Sequence, residues 1–173
     1  MSQINKIDYF VGVFVSAILN SAKSVPALFE ETNESKRVEF TTNLGEFNVY
    51  VKYSRKLKIS GRRKPKEKTS WNVLFSNIEY EKLKSSRKDG YKNYVALVGT
   101  NDALTKTRIA VLDYVKALNC LREAAPTGSR RITVTRIGSA QEYRCKGVGF
   151  ISDESESCFF DYTKYFEKAK SVK

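Results

Sequence analysis

Apolar residues recur at helical spacing near the start of the chain. Between residues 3 and 23 they fall three and four positions apart, which predicts a helix with a wide buried face. These apolar positions are Ile4, Ile7, Phe10, Val11, Phe14 and Ile18. The apolar run over residues 9–19 has eleven residues, which are too few to cross a bilayer, so we expect a buried helix and no membrane partner.

The next part of the chain alternates between apolar and polar residues, as the strands of a β-hairpin do. Residues 37–41 form the first predicted strand, turn residues follow at 43–45, and a second strand begins at Glu46. On that second strand one face carries Phe47, Val49 and Val51, and the other carries Asn48, Tyr50 and Lys52. The apolar face suits a core, and the polar face places Lys52 either at a catalytic site or in solvent.

The remaining pattern completes a mixed α/β (α+β) fold. Strands are predicted at 71–75, 94–98, 108–112, 130–137 and 141–147, and helices at 77–87, after Asp113, and within the tail 159–173. Ser76 and Glu79 have the spacing of a capping box at the start of one helix, and Asp113 is predicted to cap another. The order predicts a mixed central sheet with an αβββαβ core, helices on its faces and a C-terminal β-hairpin.

The length of 173 residues fits one domain, residues 1–173, with a full-sized core. We expect the central fold over residues 3–100 and the last hairpin within 128–150. Residues 55–70 hold eight basic residues with one proline and one glycine, which predicts a mobile basic loop. Trp71 follows this loop at the head of a strand, where we expect it to be buried.

Positive charge is concentrated in one segment of the chain. The formal net charge is +12, and residues 52–92 hold 14 Lys and Arg against 4 Asp and Glu, so this segment contributes +10. Such clustering favours a polyanionic partner, namely nucleic acid, with DNA favoured over RNA. A basic surface that only confers solubility is the alternative.

The candidate nucleic-acid-binding residues lie in two groups. They are Lys52, Arg55, Lys56, Lys58, Arg62, Arg63, Lys64, Lys66, Lys68, Arg131 and Arg136. Arg144 and Lys146 add to the second basic group, on the last predicted hairpin. Alternation along its first strand puts the hydroxyls of Thr133 and Thr135 on the same face as Arg131, an arrangement that suits phosphate contacts.

Residue types that are missing or sparse exclude several chemistries. The chain has no histidine, which excludes Ser-His-Asp triads, Cys-His proteases and histidine-dependent metal sites. Its three cysteines have no CxxC spacing, so we expect free thiols and a cytoplasmic protein. Gly147 and Gly149 follow a strand but lack the rest of a dinucleotide-binding fingerprint.

The element order, together with Glu39 and the run Tyr50-Val51-Lys52, resembles the PD-(D/E)xK nuclease superfamily, which includes restriction endonucleases. In this resemblance Glu39 takes the first acidic position and Lys52 the lysine position, so both become candidate catalytic residues. Glu39 and Glu30 become candidate ligands of Mg²⁺, since hard oxygen ligands suit that ion. Tyr50 stands where the family has its second acid, which implies a degenerate metal site.

Together these patterns predict a nucleic-acid-interacting protein on a restriction-endonuclease-like fold. Two alternatives stay open: an active Mg²⁺-dependent DNA endonuclease, and a non-enzymatic inhibitor or regulator whose basic loop meets an acidic protein partner. For Glu39 and Lys52 the alternative to catalysis is a cross-strand ion pair on a solvated face.

Overall fold

A computed structural model describes residues 6–21, 27–32, 35–61 and 67–166 of the chain. The elements in chain order are α1 (Lys6–Ser21), β1 (Ala27–Thr32), β2 (Ser35–Thr42), β3 (Gly45–Ser54), β4 (Lys58–Ser60), β5 (Lys68–Phe75), α2 (Asn77–Ser85), β6 (Lys92–Thr100), β7 (Thr107–Asp113), α3 (Tyr114–Cys120), β8 (Arg130–Ile137), β9 (Glu142–Lys146) and β10 (Glu156–Phe159). A 3₁₀ turn, Tyr162–Tyr165, follows the last strand.

The strands form two five-stranded sheets. Sheet A has the order β1-β2-β3-β6-β7, and sheet B has the order β10-β9-β8-β5-β4. Sheet A is mixed because β3 and β6 pair in parallel while its other neighbours are antiparallel. A parallel pair needs a long crossover, and here the crossover contains β4, β5 and α2. The predicted mixed α+β fold with a C-terminal hairpin is confirmed.

Helix α1 covers one face of sheet A, as its apolar spacing predicts. Its buried residues are Ile7, Phe10, Val11, Phe14 and Ile18, and they pack against β2, β3, β6 and β7. Burying a large apolar side chain stabilises a fold by about 1.5–3 kcal/mol relative to its exposure. None of the described helices is long and apolar enough to span a bilayer.

A second core fills the space between the two sheets. Sheet A contributes Tyr50, Val95 and Leu97, and sheet B contributes Trp71 and Val134 among others. The prediction that Trp71 is buried is confirmed, since 1% of it is exposed. Its indole lies so close to β6 that a Cβ on Gly99 would come within 2.7 Å of the ring, so this position requires glycine.

Local capping sets where two helices begin. The Ser76 hydroxyl accepts a hydrogen bond from the Glu79 N–H, and the Ser76 N–H donates to Glu79 Oε2, which confirms the predicted capping box of α2. The Asp113 carboxylate accepts from the Val115 N–H at the start of α3, which confirms that cap.

The alternation patterns did not assign every strand correctly. Residues 71–75 were expected in the central sheet, yet they belong to β5 in sheet B. The expectation of a mobile loop over 55–70 is wrong for its ends, which form β4 and the start of β5. The edge strands β1 and β10 were not predicted. The predicted terminal helix is a 3₁₀ turn over the described part, and residues 167–173 lie outside it.

Candidate nucleic-acid interface

The outer face of sheet B is the surface of that sheet that points away from sheet A. Alternation fixes its members, because Trp71, Val73, Ile132 and Val134 are buried while their neighbours on the strands are not. The outward residues are Lys58, Ser60, Lys68, Ser70, Asn72, Leu74, Arg131, Thr133, Thr135, Ile137, Glu142, Arg144, Lys146, Ser157 and Phe159. All of them are exposed or half-buried, so no described helix covers this face.

Four short polar side chains form a strip at the centre of the outer face, which we call the polar strip. Ser70 pairs with Thr135, and Asn72 pairs with Thr133 across β5 and β8. The Thr133 hydroxyl donates to Asn72 Oδ1 at 2.8 Å. The strip therefore offers three hydroxyls and an amide on adjacent strands, groups that hydrogen-bond phosphate oxygens readily.

Five basic residues surround the polar strip, and we call them the cationic frame. Lys58 pairs with Ser70 on one side, while Arg144 pairs with Thr135 and Lys146 with Thr133 on the other. Lys68 lies two residues before Ser70 on β5, and Arg131 lies two residues before Thr133 on β8. Because these strands are antiparallel, the two residues lie beyond opposite ends of the polar strip. The frame thus consists of Lys58, Lys68, Arg131, Arg144 and Lys146.

The cationic frame keeps its positive charge on the surface. Within the described ranges, none of its five residues takes part in an ion pair, and Glu142 is the one outward acidic residue. The Lys146 ammonium donates to a neutral acceptor, the Ser152 carbonyl. Five positive charges outnumber Glu142 on the strands and Asp153, which lines a concavity beside Arg144, so the local potential is positive.

A groove of about 840 Å³ extends the outer face beyond its β4 edge. It is lined by Tyr53, Ser54, Arg55, Lys56, Leu57, Lys58, Lys68, Ser70, Trp71, Asn72, Asn101, Asp102, Thr133 and Thr135. Arg55 is held in its wall, because its guanidinium donates to the Asp102 carbonyl at 2.9 Å. The groove brings the cations of the β3–β4 connection next to the polar strip.

The loop between β4 and β5 starts at the same edge. Its two ends are fixed by the pairing of Ser60 with Lys68. Arg62, Arg63, Lys64 and Lys66 are in this loop and lie outside the described residues. In sequence, these four predicted binding residues stand between β4 and β5.

The structure divides the predicted binding residues among different places. Lys58, Lys68 and Arg131 lie on the outer face, and Arg55 and Lys56 line the groove. Arg136 lies on the opposite face of β8, and its guanidinium stacks 3.6 Å from the centre of the Phe160 ring and donates to the Ala140 carbonyl.

Lys52 does not belong to this surface. Only 1% of it is exposed, and its ammonium pairs with the Glu79 carboxylate and lies 5.3 Å from the centre of the Phe75 ring. Burial alone would raise the pKa of Glu79, but the hydrogen bonds from Lys52 and Ser76 and the attraction of the ammonium outweigh it, so this pKa lies below its ordinary value of 4.5.

The structure does not bring the candidate catalytic residues Glu39 and Lys52 together. Glu39 pairs with Asn48 and Lys52 with Ser35, so along β2 and β3 they are four residues, about 13 Å, apart. The alternative prediction, a cross-strand ion pair between Glu39 and Lys52, is therefore also wrong. The Glu39 carboxylate instead accepts from Arg37 at 2.6 Å and from Lys88 at 2.7 Å.

Of the two residues predicted as Mg²⁺ ligands, Glu39 has both carboxylate oxygens engaged by cations, namely Arg37 and Lys88. The backbone of Glu30 pairs with Lys36 on β2, three positions from Glu39, and its side chain is outside the description. Among the described residues, no three acidic or cysteine side chains converge as metal ligands would.

Two residues of the candidate interface, Ser70 and Asn72, were not predicted from the sequence. Ser70 was missed because residues 55–70 were interpreted as a loop, although they include the first three residues of β5. Asn72 lies in the predicted strand 71–75, but its sequence neighbours do not indicate that it faces Thr133 on a distant strand. No protein-family model, curated protein or solved structure matches this chain.

Proposed function

We propose that this protein binds nucleic acid through the outer face of sheet B. The observation that carries the proposal is the cationic frame around the polar strip. Its five basic residues lie on one sheet face that no described helix covers, and they have no ionic partners among the described residues. The groove adds Arg55 and Lys56 next to the polar strip.

The chemistry of this face suits phosphate groups. Lys and Arg that neutralise phosphates release condensed counterions, and this release drives binding without regard to sequence. Hydroxyl and amide groups between the cations can donate hydrogen bonds to phosphate oxygens and hold the backbone in register.

A protein partner fits this face less well. The centre of a protein interface is depleted of charge and rich in aromatic residues, whereas the centre here consists of Ser70, Asn72, Thr133 and Thr135. The exposed apolar residues Leu74 and Ile137 lie at the strand ends rather than in the middle.

The test compares two variants that lose the same charge from different faces. Arg131→Gln/Arg144→Gln changes the cationic frame, and Lys6→Gln/Lys84→Gln changes exposed residues of α1 and α2. Binding to a labelled DNA duplex is measured by fluorescence anisotropy across a salt series.

For the wild type, log K should fall linearly with log[salt]. The frame variant should lose affinity, and its slope should become shallower by about 2, since each lost phosphate contact removes about 0.9. The control should keep the wild-type slope. Equal slopes for both variants, or no binding by the wild type, would overturn the proposal.

A further inference from the structure

Sheet B turns the aromatic side chains of its central strands away from the outer face. Trp71, Phe75 and Tyr143 are each at most 1% exposed and pack in the core between the sheets. The Trp71 ring lies against Gly99 on one side and meets the Tyr143 ring edge-to-face at 5.3 Å. None of these rings offers a flat surface to a base.

The aromatic residues at the margins of the face already have partners. Tyr53 lines the groove, but its ring is stacked on Phe10 at 4.2 Å. Phe159 lies on the edge strand β10, where the Lys164 ammonium lies 5.1 Å from its ring centre and the Tyr165 ring 5.3 Å away. Proteins that bind single strands rely on exposed aromatic rings for base stacking, and the polar strip and cationic frame contain no aromatic residue.

The cationic frame has cations on two opposite sides of the polar strip. Lys58 and Arg144 lie in one register row through Ser70 and Thr135, on β4 and β9. Three strand spacings separate them, which is about 14 Å. A single strand presents one line of phosphates, whereas B-form DNA presents two, which border a major groove about 12 Å wide.

The width of this face keeps the sheet out of the grooves of DNA. The Asn72 side chain is also partly engaged within the strip, because its Oδ1 accepts a hydrogen bond from Thr133. A five-stranded sheet is about 19 Å across, which is too wide to enter the major groove of about 12 Å. The frame arginines are therefore held at the level of the phosphates.

We propose that the outer face of sheet B recognises double-stranded DNA, independently of sequence, by contacting both phosphate backbones at once. Lys58 meets one backbone, Arg144 and Lys146 meet the other, and the polar strip lies between them. This inference rests on the proposed function and specifies its ligand.

Four probes of equal length test the inference: a mixed-sequence DNA duplex, each of its two separated strands, and a duplex of scrambled sequence with the same composition. The duplex should bind about tenfold more tightly than either strand, because it engages phosphates on both sides of the frame. The scrambled duplex should match the original within about twofold, because phosphate contacts carry no sequence information.

Two single variants, Lys58→Gln and Arg144→Gln, change opposite sides of the frame. Each should weaken duplex binding, and the combination should reduce the preference for duplex over single strand. Single strands that bind as tightly as the duplex, or an affinity that changes about tenfold on scrambling, would overturn the inference. If single-stranded DNA binds as tightly as the duplex and this binding still depends on Arg131 and Arg144, the proposed nucleic-acid binding stands and only the duplex inference fails. If no probe binds, both proposals fail.

Discussion

Lys52 of β3 and Glu79 in the first turn of α2 form an ion pair inside the protein. The exposed fractions of their side chains are 1% and 10%. The same carboxylate also accepts from the Ser76 N–H and closes the capping box of α2. One acidic side chain thus neutralises a buried lysine and starts a helix, which ties α2 to the centre of sheet A.

Removing the lysine should destabilise the protein strongly. Lys52→Met leaves the Glu79 carboxylate buried without its cation, and breaking a buried pair in this way costs about 3–5 kcal/mol. Lys52→Met/Glu79→Gln should recover part of that loss, since glutamine is neutral and can still accept from Ser76. Urea unfolding measures the free energy of unfolding of both variants. If Lys52→Met lowered this free energy by less than about 1 kcal/mol, as for a surface pair, the assignment of a buried ion pair would be contradicted.

The ion pair should also make stability depend on acid pH. The pKa of Glu79 is lowered in the folded state, so its contribution is full above the unfolded value near 4.5 and is lost as pH falls through the lower folded value. Urea unfolding between neutral pH and pH below 4.5 should show a smaller decline for Lys52→Met/Glu79→Gln than for the wild type. Parallel curves would show that Glu79 titrates alike in both states.

Divalent metal should not assist DNA binding. In the proposed function the cationic frame contacts phosphates directly, without a bridging metal ion, so Mg²⁺ should compete as a counterion. Adding Mg²⁺ should weaken DNA binding at constant ionic strength, and EDTA should leave binding in metal-free buffer unchanged. An affinity that EDTA lowers and Mg²⁺ restores would instead indicate a metal ion held between protein and DNA.

The three cysteines should be unreactive in the folded protein. Cys120, Cys145 and Cys158 are free and buried. Burial raises the pKa of Cys120 to about 12, and the hydrogen bond with Cys158 together with burial raises that of Cys145. Since the thiolate is the reactive form, a disulfide reagent at mildly alkaline pH should titrate three thiols only in denaturant. Rapid modification of the native protein would contradict this packing.

Local patterns predicted most elements, because helix periodicity, caps and alternation depend on neighbouring residues. The strand 130–137 and the cap at Asp113 are examples. Strand partners were not predictable in this way, because pairing is set by distant residues. Asn72 contacts Thr133, 61 positions away, and nothing near residues 71–75 indicates that they belong to a second sheet.

The candidate site was predictable to a similar extent. Alternation correctly put Thr133 and Thr135 on one face with Arg131. It could not reveal that Lys52 is buried, because a lysine at a polar strand position normally faces solvent, and its partner Glu79 is 27 residues away on a helix.

Sheet B is assembled from two stretches of chain that are made at different times. The β4–β5 hairpin emerges within the crossover of sheet A, and β8, β9 and β10 follow only after α3. Until Arg130–Ile137 leaves the ribosome, β5 has no neighbour on one edge, and half of the polar strip does not exist. A prematurely terminated product therefore lacks Thr133 and Thr135 together with Arg131, Arg144 and Lys146, which are more than half of the proposed interface.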